Sequence, residues 1–306
     1  MPVIYHIPAL LEATISALSI KADGKYVDVT FGGGGHSRAI FERLGESGRL
    51  YGFDQDADAR NNAIDDKRFT FIHANFRYLD NFMRWYGESG DIDGIVADLG
   101  VSFHHFDTGE RGFSFRMDGP LDMRMNQSAA QTAADIVNSY TEESLARVLR
   151  LYGELPNSGQ IAKSIVKARE KKPLRTIGEF NEVVIPFCGR DREKKVLACI
   201  YQALRIETND ELGALRDLLE SSLRVLKQGG RMAVLTYHSL EDRLVKNFFR
   251  SGNISGELEK DFYGNIVTPW QLVNNKVITA SADEVAANPR SRSAKLRVAE
   301  KVFAGK

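Results

Sequence analysis

The feature that most constrains the fold is an alternation of apolar runs and amphipathic stretches, with four consecutive glycines at its first turn. KYVDVTF is typical of a strand, and SRAIFERLG after the glycines is typical of a helix capped by Ser37 and ended by Gly45. RLYGFD, FTFIHA and IDGIVADLGV indicate three more strands, and DADARNNAI a short helix. Strands that alternate with helices form parallel units with right-handed crossovers. The first part of the chain therefore predicts an α/β fold, a doubly wound and mostly parallel sheet.

The alternation stops after the fourth strand. Residues 102–209 hold a Gly-rich loop and then helices, including TEESLARVLRLYG, with Thr141 as its cap, and DREKKVLACIYQALRI. The α/β pattern resumes with a helix that Gly229 and Gly230 should end, the buried strand RMAVLTYH and the helix SLEDRLVKNFFR. KVITA and KLRVAEKVF should close the sheet as an antiparallel pair. We expect residues 1–106 and 206–306 to form one domain and residues 107–205 an inserted helical domain.

Charge and cysteine content narrow the classes of protein. Lys plus Arg and Asp plus Glu number 41 each, so no overall field attracts nucleic acid or membrane, and RNA binding needs local basic patches. No apolar run is long enough to span a bilayer, and the N-terminus does not resemble a signal peptide. Cys188 and Cys199 lack metal-ligand spacing and fit buried thiols in a reducing compartment. We expect a soluble, cytoplasmic protein without a metal site.

The glycine-rich turn lies where a doubly wound sheet binds ligands, at the carboxyl end of its first strand. A dinucleotide fingerprint fails, because its third glycine falls on Ser37 or Arg38, and no Gly-Lys-Ser/Thr follows as in a phosphate-binding loop. Acids stand instead at three strand ends, at Asp28, Asp54 and Asp98. They would repel the pyrophosphate of NAD, whereas the sulfonium, ammonium and ribose of S-adenosyl-L-methionine suit them. The pattern therefore favours S-adenosyl-L-methionine as the cofactor.

Longer blocks of the sequence resemble one family of bacterial RNA methyltransferases. They extend over nearly the whole chain and read DVTFGGGGH, FDQD, ADLGVS, ERGFSFRMDGPLDMRM, YQALRIETNDEL, YHSLEDRLVK and NPRSRSAKLR. Together they are similar to the RsmH/MraW family, which methylates the exocyclic N4 amine of a cytidine in the decoding centre of 16S ribosomal RNA. The resemblance implies a class I, Rossmann-like methyltransferase that uses S-adenosylmethionine and acts on 16S ribosomal RNA, with the free RNA and the small subunit both open as substrates. Members of the family are commonly dimers, so a homodimer is compatible with the resemblance.

The resemblance also implies which residues contact the cofactor. The positions at which the family contacts the cofactor are Gly34, Gly35, His36, Asp54, Phe76, Asp98 and His105. The two glycines and His36 should hold the methionine part, Asp54 the ribose hydroxyls, and Phe76 the adenine. His105 departs from the family, because most members read GVSSPQLD, with a cofactor-contacting Gln, where this chain reads GVSFHHFD.

Asp98 is the candidate catalytic residue. The cytosine amine is a weak nucleophile because its lone pair is delocalised into the ring, and an acceptor near its N–H groups would hold it in a more reactive geometry. Asp98, near the methionine amine or the methyl group, could supply that acceptor. His36 and His238 are further candidates, although a structural role is typical of such histidines.

Arginines interleaved with aromatic residues indicate where RNA would bind. The candidates for RNA binding are Arg111, Phe113, Phe115, Arg116, Arg124, Arg290 and Arg292. A class I methyltransferase for a protein or a small molecule would share the cofactor site but would not need these arginines, and action on another RNA is a further alternative. That alternative stays open from the residues alone.

Overall fold

The computed structural model describes residues 8–100 and 111–303, and these fall into two compact units. One unit contains residues 8–100 and 212–303, and the other contains residues 111–211. The chain returns from the second unit to the first between Glu211 and Leu212, a few residues beyond the expected boundary at 205. The other expected boundary, at 106, lies outside the described residues.

The first unit is built on a mixed sheet whose core strands are parallel. Its strands are β1 (Lys25–Asp28), β2 (Arg49–Asp54), β3 (Phe69–His73), β4 (Ile92–Asp98), β5 (Leu226–Thr236), β8 (Trp270–Leu272), β9 (Ile278–Thr279) and β10 (Lys295–Lys301), while β6 (Glu259–Lys260) and β7 (Ile266–Val267) form a separate hairpin. The order is β3-β2-β1-β4-β5-β10-β8, with β9 also beside β10. Strands β1 to β5 are parallel, and β10 is antiparallel to its neighbours. The five parallel strands and the closing antiparallel pair are confirmed.

Helices cover this sheet and build the second unit. In chain order they are α1 (Leu11–Leu18), α2 (Gly35–Phe41), α3 (Leu79–Trp85), α4 (Ala133–Ser139), α5 (Glu142–Gly153), α6 (Ser158–Arg169), α7 (Ile177–Val184), α8 (Glu193–Asn209), α9 (Glu211–Val225), α10 (Ser239–Ser251) and α11 (Ala282–Ala287). The predicted cap of α5 is present, since the Thr141 side chain accepts a hydrogen bond from the Ser144 amide. Among the described residues, no helix is both long and apolar enough to cross a membrane.

The prediction that Gly229 and Gly230 end a helix is wrong. Helix α9 ends at Val225, and the chain passes directly into β5. The register between β4 and β5 shifts between the pairs Ile92–Leu226 and Gly94–Arg231, so the residues between Leu226 and Arg231 bulge out of the ladder. Gly229 takes a positive φ of 75° there, which explains why glycine suits this bulge.

The second unit is a helical body with its own core. Buried side chains of α4 to α8 pack together with residues of the loop that precedes α4. The stripe predicted from helical spacing, including Leu145, Val148 and Leu149 of α5, faces this core.

Candidate cofactor and active site

The glycine-rich turn is held between two neighbouring strands. The Val29 amide donates to the Val96 carbonyl at 3.0 Å, and the Phe31 amide donates to the Phe53 carbonyl at 2.8 Å. The chain then turns through Gly34, whose φ is +76°, and α2 begins at Gly35. An L side chain strains the backbone at this φ, so glycine is needed for the turn.

Gly35 is required for a different reason, the close approach of another segment. A Cβ atom at this position would lie 2.2 Å from Cγ of Pro8. The turn and the start of α2 lie at the carboxyl end of β1, where the sheet is expected to bind its ligand.

Asp54, at the end of β2, supports the turn from the side. One carboxylate oxygen accepts from the Gly32 amide and the other from the Asp56 amide, both at 2.8 Å. Each carboxylate oxygen can accept a second hydrogen bond. Asp54 is half-buried, so its position is compatible with the predicted role as acceptor for ribose hydroxyls.

Asp28 does not present its carboxylate to a ligand in the way that its strand-end position suggested. It is 1% exposed, and its oxygens accept from the Ser37 hydroxyl at 2.7 Å and the Thr30 amide at 3.0 Å. Burial raises the pKa of this carboxyl. Asp28 therefore braces the turn and the first turn of α2 from beneath.

Asp98, at the end of β4, is the centre of a cluster drawn from separate strands. Its amide donates to the Thr30 hydroxyl at 2.7 Å, and its Oδ1 accepts from the Tyr237 hydroxyl at 2.8 Å. Its Oδ2 lies 3.8 Å from Nδ1 of His36. Burial, and then the charge of Asp98, raise the pKa of Tyr237, so this hydroxyl stays a donor. The Asp98 side chain is 21% exposed, which leaves the carboxylate accessible.

His36 carries the clearest indication of a ligand. It is 5% exposed, and its Nε2 has no hydrogen-bond partner among the described residues. Burial of a polar atom without a partner is unfavourable, which makes a ligand at this position favourable. The backbone of the turn, the Asp54 and Asp98 carboxylates and this histidine fit the polar groups of S-adenosylmethionine.

Three other predicted site residues have different settings. Phe76 is half-buried and begins a short 3₁₀ helix, and the Asn75 that caps this helix donates to Gln55, next to Asp54. His105 lies outside the described residues. His238 caps α10, and its buried Nε2 lies 3.0 Å from Oε1 of Glu241. Like Nε2 of His36, this atom makes no hydrogen bond to the described residues. The cap of α10 is the structural role that the geometry shows for His238.

Part of the proposed RNA-binding loop is buried or bonded within its own unit, contrary to the expectation from its composition. Arg111 is 9% exposed and donates to the carbonyls of Arg124 and Met125, and Phe113 belongs to the core of the helical unit. Arg124 makes a bidentate pair with Asp122. These residues hold the loop in shape, because their side chains are already engaged within their own unit.

Other members of the predicted RNA-binding set face solvent. Arg116 is exposed, with its guanidinium 5.9 Å from the ring centre of the half-buried Phe115. Arg290 and Arg292 are exposed on a 3₁₀ helix, Pro289–Ser293, of the α/β unit. These three arginines are exposed to solvent.

Sequence reasoning missed two residues of the Asp98 cluster, Thr30 and Tyr237. Both stand just beyond the end of a parallel strand, the position that had directed attention to the acids. The same rule, applied to hydroxyl groups, would have found them. The pairing of Asp98 with Tyr237 had no local signal, since 139 positions separate the two residues.

The parallel sheet with its antiparallel closing strands, and the polar crevice at the strand ends, define a class I methyltransferase that uses S-adenosylmethionine. Residues 3–302 match the model of the MraW methylase family, and the chain belongs to that family. It is 64% identical to "Ribosomal RNA small subunit methyltransferase H" of Parabacteroides distasonis, over 97% of this chain and 98% of that protein. The protein of the same name from Bacteroides fragilis is 60% identical, over 97% of each chain.

Among solved structures, TrmN from Thermus thermophilus is 13% identical over 96% of this chain and 48% of that chain, with a TM-score of 0.43.

Proposed function

We propose that this protein transfers the methyl group of S-adenosylmethionine to the exocyclic N4 amine of a cytidine in the decoding centre of 16S ribosomal RNA. The names of the relatives support a ribosomal RNA substrate of the small subunit. One observation supports an amine as the group that receives the methyl. Tyr237 donates to Oδ1 of Asp98, while Oδ2 accepts no hydrogen bond from the described residues and can accept one from an amine.

The bound cofactor supplies an electrophilic methyl group, and the residues of the chain orient the amine towards it. Oδ2 of Asp98 accepts an N–H of the cytosine amine and limits its rotation. After transfer the nitrogen carries an extra proton, and the same oxygen can receive it. The Thr30 and Tyr237 hydroxyls keep the main chain and carboxylate of Asp98 in place. Most of the rate enhancement then comes from orientation and exclusion of water.

The base has to leave its stack to reach this crevice, as in other base-modifying enzymes. We propose that the helical unit recognises the RNA, with Arg116 as a phosphate contact, and that Arg290 and Arg292 provide a second one. The buried Arg111 and Phe113, and Arg124 in its pair with Asp122, would act indirectly, by shaping the loop. We also propose that the protein acts on the small subunit in the cytoplasm. We propose further that it forms a homodimer, and light scattering of the purified protein would test this.

The test is methylation with a labelled donor of three substrates that lack the modification: small ribosomal subunits, free 16S ribosomal RNA and transfer RNA. Digestion to nucleosides and mass spectrometry then identify the product. We expect N4-methylcytidine in the subunit or in its RNA, and none with the Asp98→Asn variant. Label in transfer RNA or protein, or in another nucleoside, would support a different methyltransferase instead.

A further inference from the structure

The helical unit carries a concentrated stretch of positive charge that the predicted RNA-binding set does not contain. Between residues 163 and 175 the sequence KSIVKAREKKPLR holds six Lys or Arg and a single acid, Glu170. The chain as a whole is neutral, with 41 residues of each sign. This stretch is therefore a strong local departure from the average charge.

Within the described part of the chain, four of these cationic side chains have no carboxylate partner, although the backbone amide of Arg175 donates to Glu179 at 2.8 Å. Two members of the stretch are engaged, since Arg169 donates to the Val137 carbonyl and Lys172 pairs with Glu179. The remaining four are exposed and form no ion pair with any residue in the described ranges 8–100 and 111–303. We call them the lysine face: Lys163, Lys167, Lys171 and Arg175.

The lysine face has a defined geometry. Lys163 and Lys167 stand four residues apart on α6, which places them on one side of the helix. The segment after the helix is fixed by Asn138, which accepts from the Leu174 amide at 2.9 Å and donates to the Leu174 carbonyl at 2.7 Å. Lys171 and Arg175 therefore extend from an ordered backbone.

The face ends beside the loop that carries Arg116. The Leu121 amide donates to the Arg175 carbonyl at 2.9 Å, and Pro120 forms an isolated antiparallel bridge with Thr176. A cation predicted from sequence to contact RNA and the end of the lysine face thus lie on neighbouring segments of one unit.

Some cations elsewhere in the chain are compensated by a carboxylate. Lys25 pairs with Glu88 and Asp91, and Arg297 pairs with Asp242. Like charges four residues apart on a helix disfavour it. The C-terminal end of the α6 dipole explains why a positive charge is favourable at Lys167, but not at Lys171 and Arg175, which lie beyond the helix. Binding of an external polyanion would explain the positive charge at all four positions.

We propose that the lysine face binds the sugar–phosphate backbone of the ribosomal RNA substrate, at a site separate from the reacting cytidine. The inference rests on the proposed function. Contacts of this kind set affinity and orientation without reading sequence. The expected role is therefore in RNA binding, with no part in the chemical step.

The test compares two variants of the full chain that lose the same charge. The first carries Lys163→Gln, Lys167→Gln and Lys171→Gln. The control carries Lys67→Gln, Lys260→Gln and Lys276→Gln, three exposed lysines of the α/β unit. Affinity for free 16S ribosomal RNA is measured at several salt concentrations, together with cofactor affinity, kcat at saturating RNA, and thermal unfolding.

We expect the first variant to bind RNA at least tenfold more weakly at low salt. Its slope of log affinity against log salt should be flatter by about two units, since each single-strand phosphate contact contributes about 0.7. Cofactor affinity and kcat at saturating RNA should stay within twofold, and replacement of the same lysines by arginine should restore binding. The control should keep most of the wild-type slope.

One outcome is that the two variants lose the same RNA affinity and salt slope while the wild-type protein methylates the small subunit. That result would overturn the proposal that the lysine face binds RNA and would leave the proposed function standing. A lower unfolding temperature of the first variant, with an unchanged salt dependence of RNA affinity, would show that the lysines only stabilise α6. This result would also overturn the inference. A wild-type protein that neither binds nor methylates ribosomal RNA would overturn both proposals.

Discussion

Replacement of Tyr237 by phenylalanine isolates one hydrogen bond of the site. Tyr237→Phe removes the hydroxyl that donates to Oδ1 of Asp98 at 2.8 Å and keeps the ring, which packs close to Gly100. Phenylalanine leaves no unpaired polar atom of its own in this largely buried position. We therefore expect the free energy of unfolding to change by less than about 1 kcal/mol, because only one partner, the accessible Asp98, loses a bond.

The magnitude of the effect on activity follows from the type of bond and its exposure. A hydrogen bond to a charged acceptor contributes about 1.5–3 kcal/mol. The Asp98 side chain is 21% exposed, so water can replace part of the lost interaction. We expect a loss of about 1–1.5 kcal/mol of transition-state stabilisation, which corresponds to roughly a fivefold to twelvefold decrease in kcat/KM.

Steady-state kinetics with varied cofactor and varied RNA would measure this effect and identify what Asp98 holds. A rise in KM for the cofactor alone would place Asp98 at the methionine amine, whereas a fall in kcat would place it at the cytosine amine. Asp98→Asn serves as the reference for complete loss of the carboxylate. If Tyr237→Phe keeps both constants within twofold while Asp98→Asn is impaired, Tyr237 does not position Asp98 for the reaction.

Three further predictions address the turn. Asp54→Ala should weaken binding of S-adenosylhomocysteine by about 1–3 kcal/mol in titration calorimetry, because the Gly32 amide and the ribose both lose an acceptor; unchanged affinity would remove Asp54 from the site. Gly35→Ala should lower cofactor affinity in the same assay, because its Cβ would displace Pro8; wild-type affinity would show that the contact yields without cost. The difference in unfolding temperature between Asp28→Asn and wild type should be more favourable to the variant at pH 7 than at pH 4. Burial raises the pKa of Asp28, so the protonated side chain contributes its full stability below about pH 4, and this contribution is lost as pH rises through the raised pKa, whereas asparagine does not titrate. A difference that does not vary between pH 4 and pH 8 would contradict this origin.

Local pattern accounted for most of the secondary structure. The spacing of apolar residues predicted the parallel strands and the helices of both units, because that spacing reflects which side of an element is buried. It was wrong at Gly229 and Gly230, where glycines typical of a helix end serve a bulge beside β4. The short strand β8 was not predicted, because three residues carry too little periodicity.

The sequence by itself determined the α/β class, the glycine turn after β1, the acids at the strand ends and the resemblance to one methyltransferase family. These depend on residues that are close in the chain or on motifs that can be read directly. Only the tertiary structure distinguished the buried Asp28 from the accessible Asp98. It also placed Arg111 and Phe113 in the interior and the side chains of the lysine face at the surface. Burial and pairing depend on which distant segments meet: Asp98 and Tyr237 are 139 positions apart, and their contact follows from adjacent parallel strands that end at one edge of the sheet.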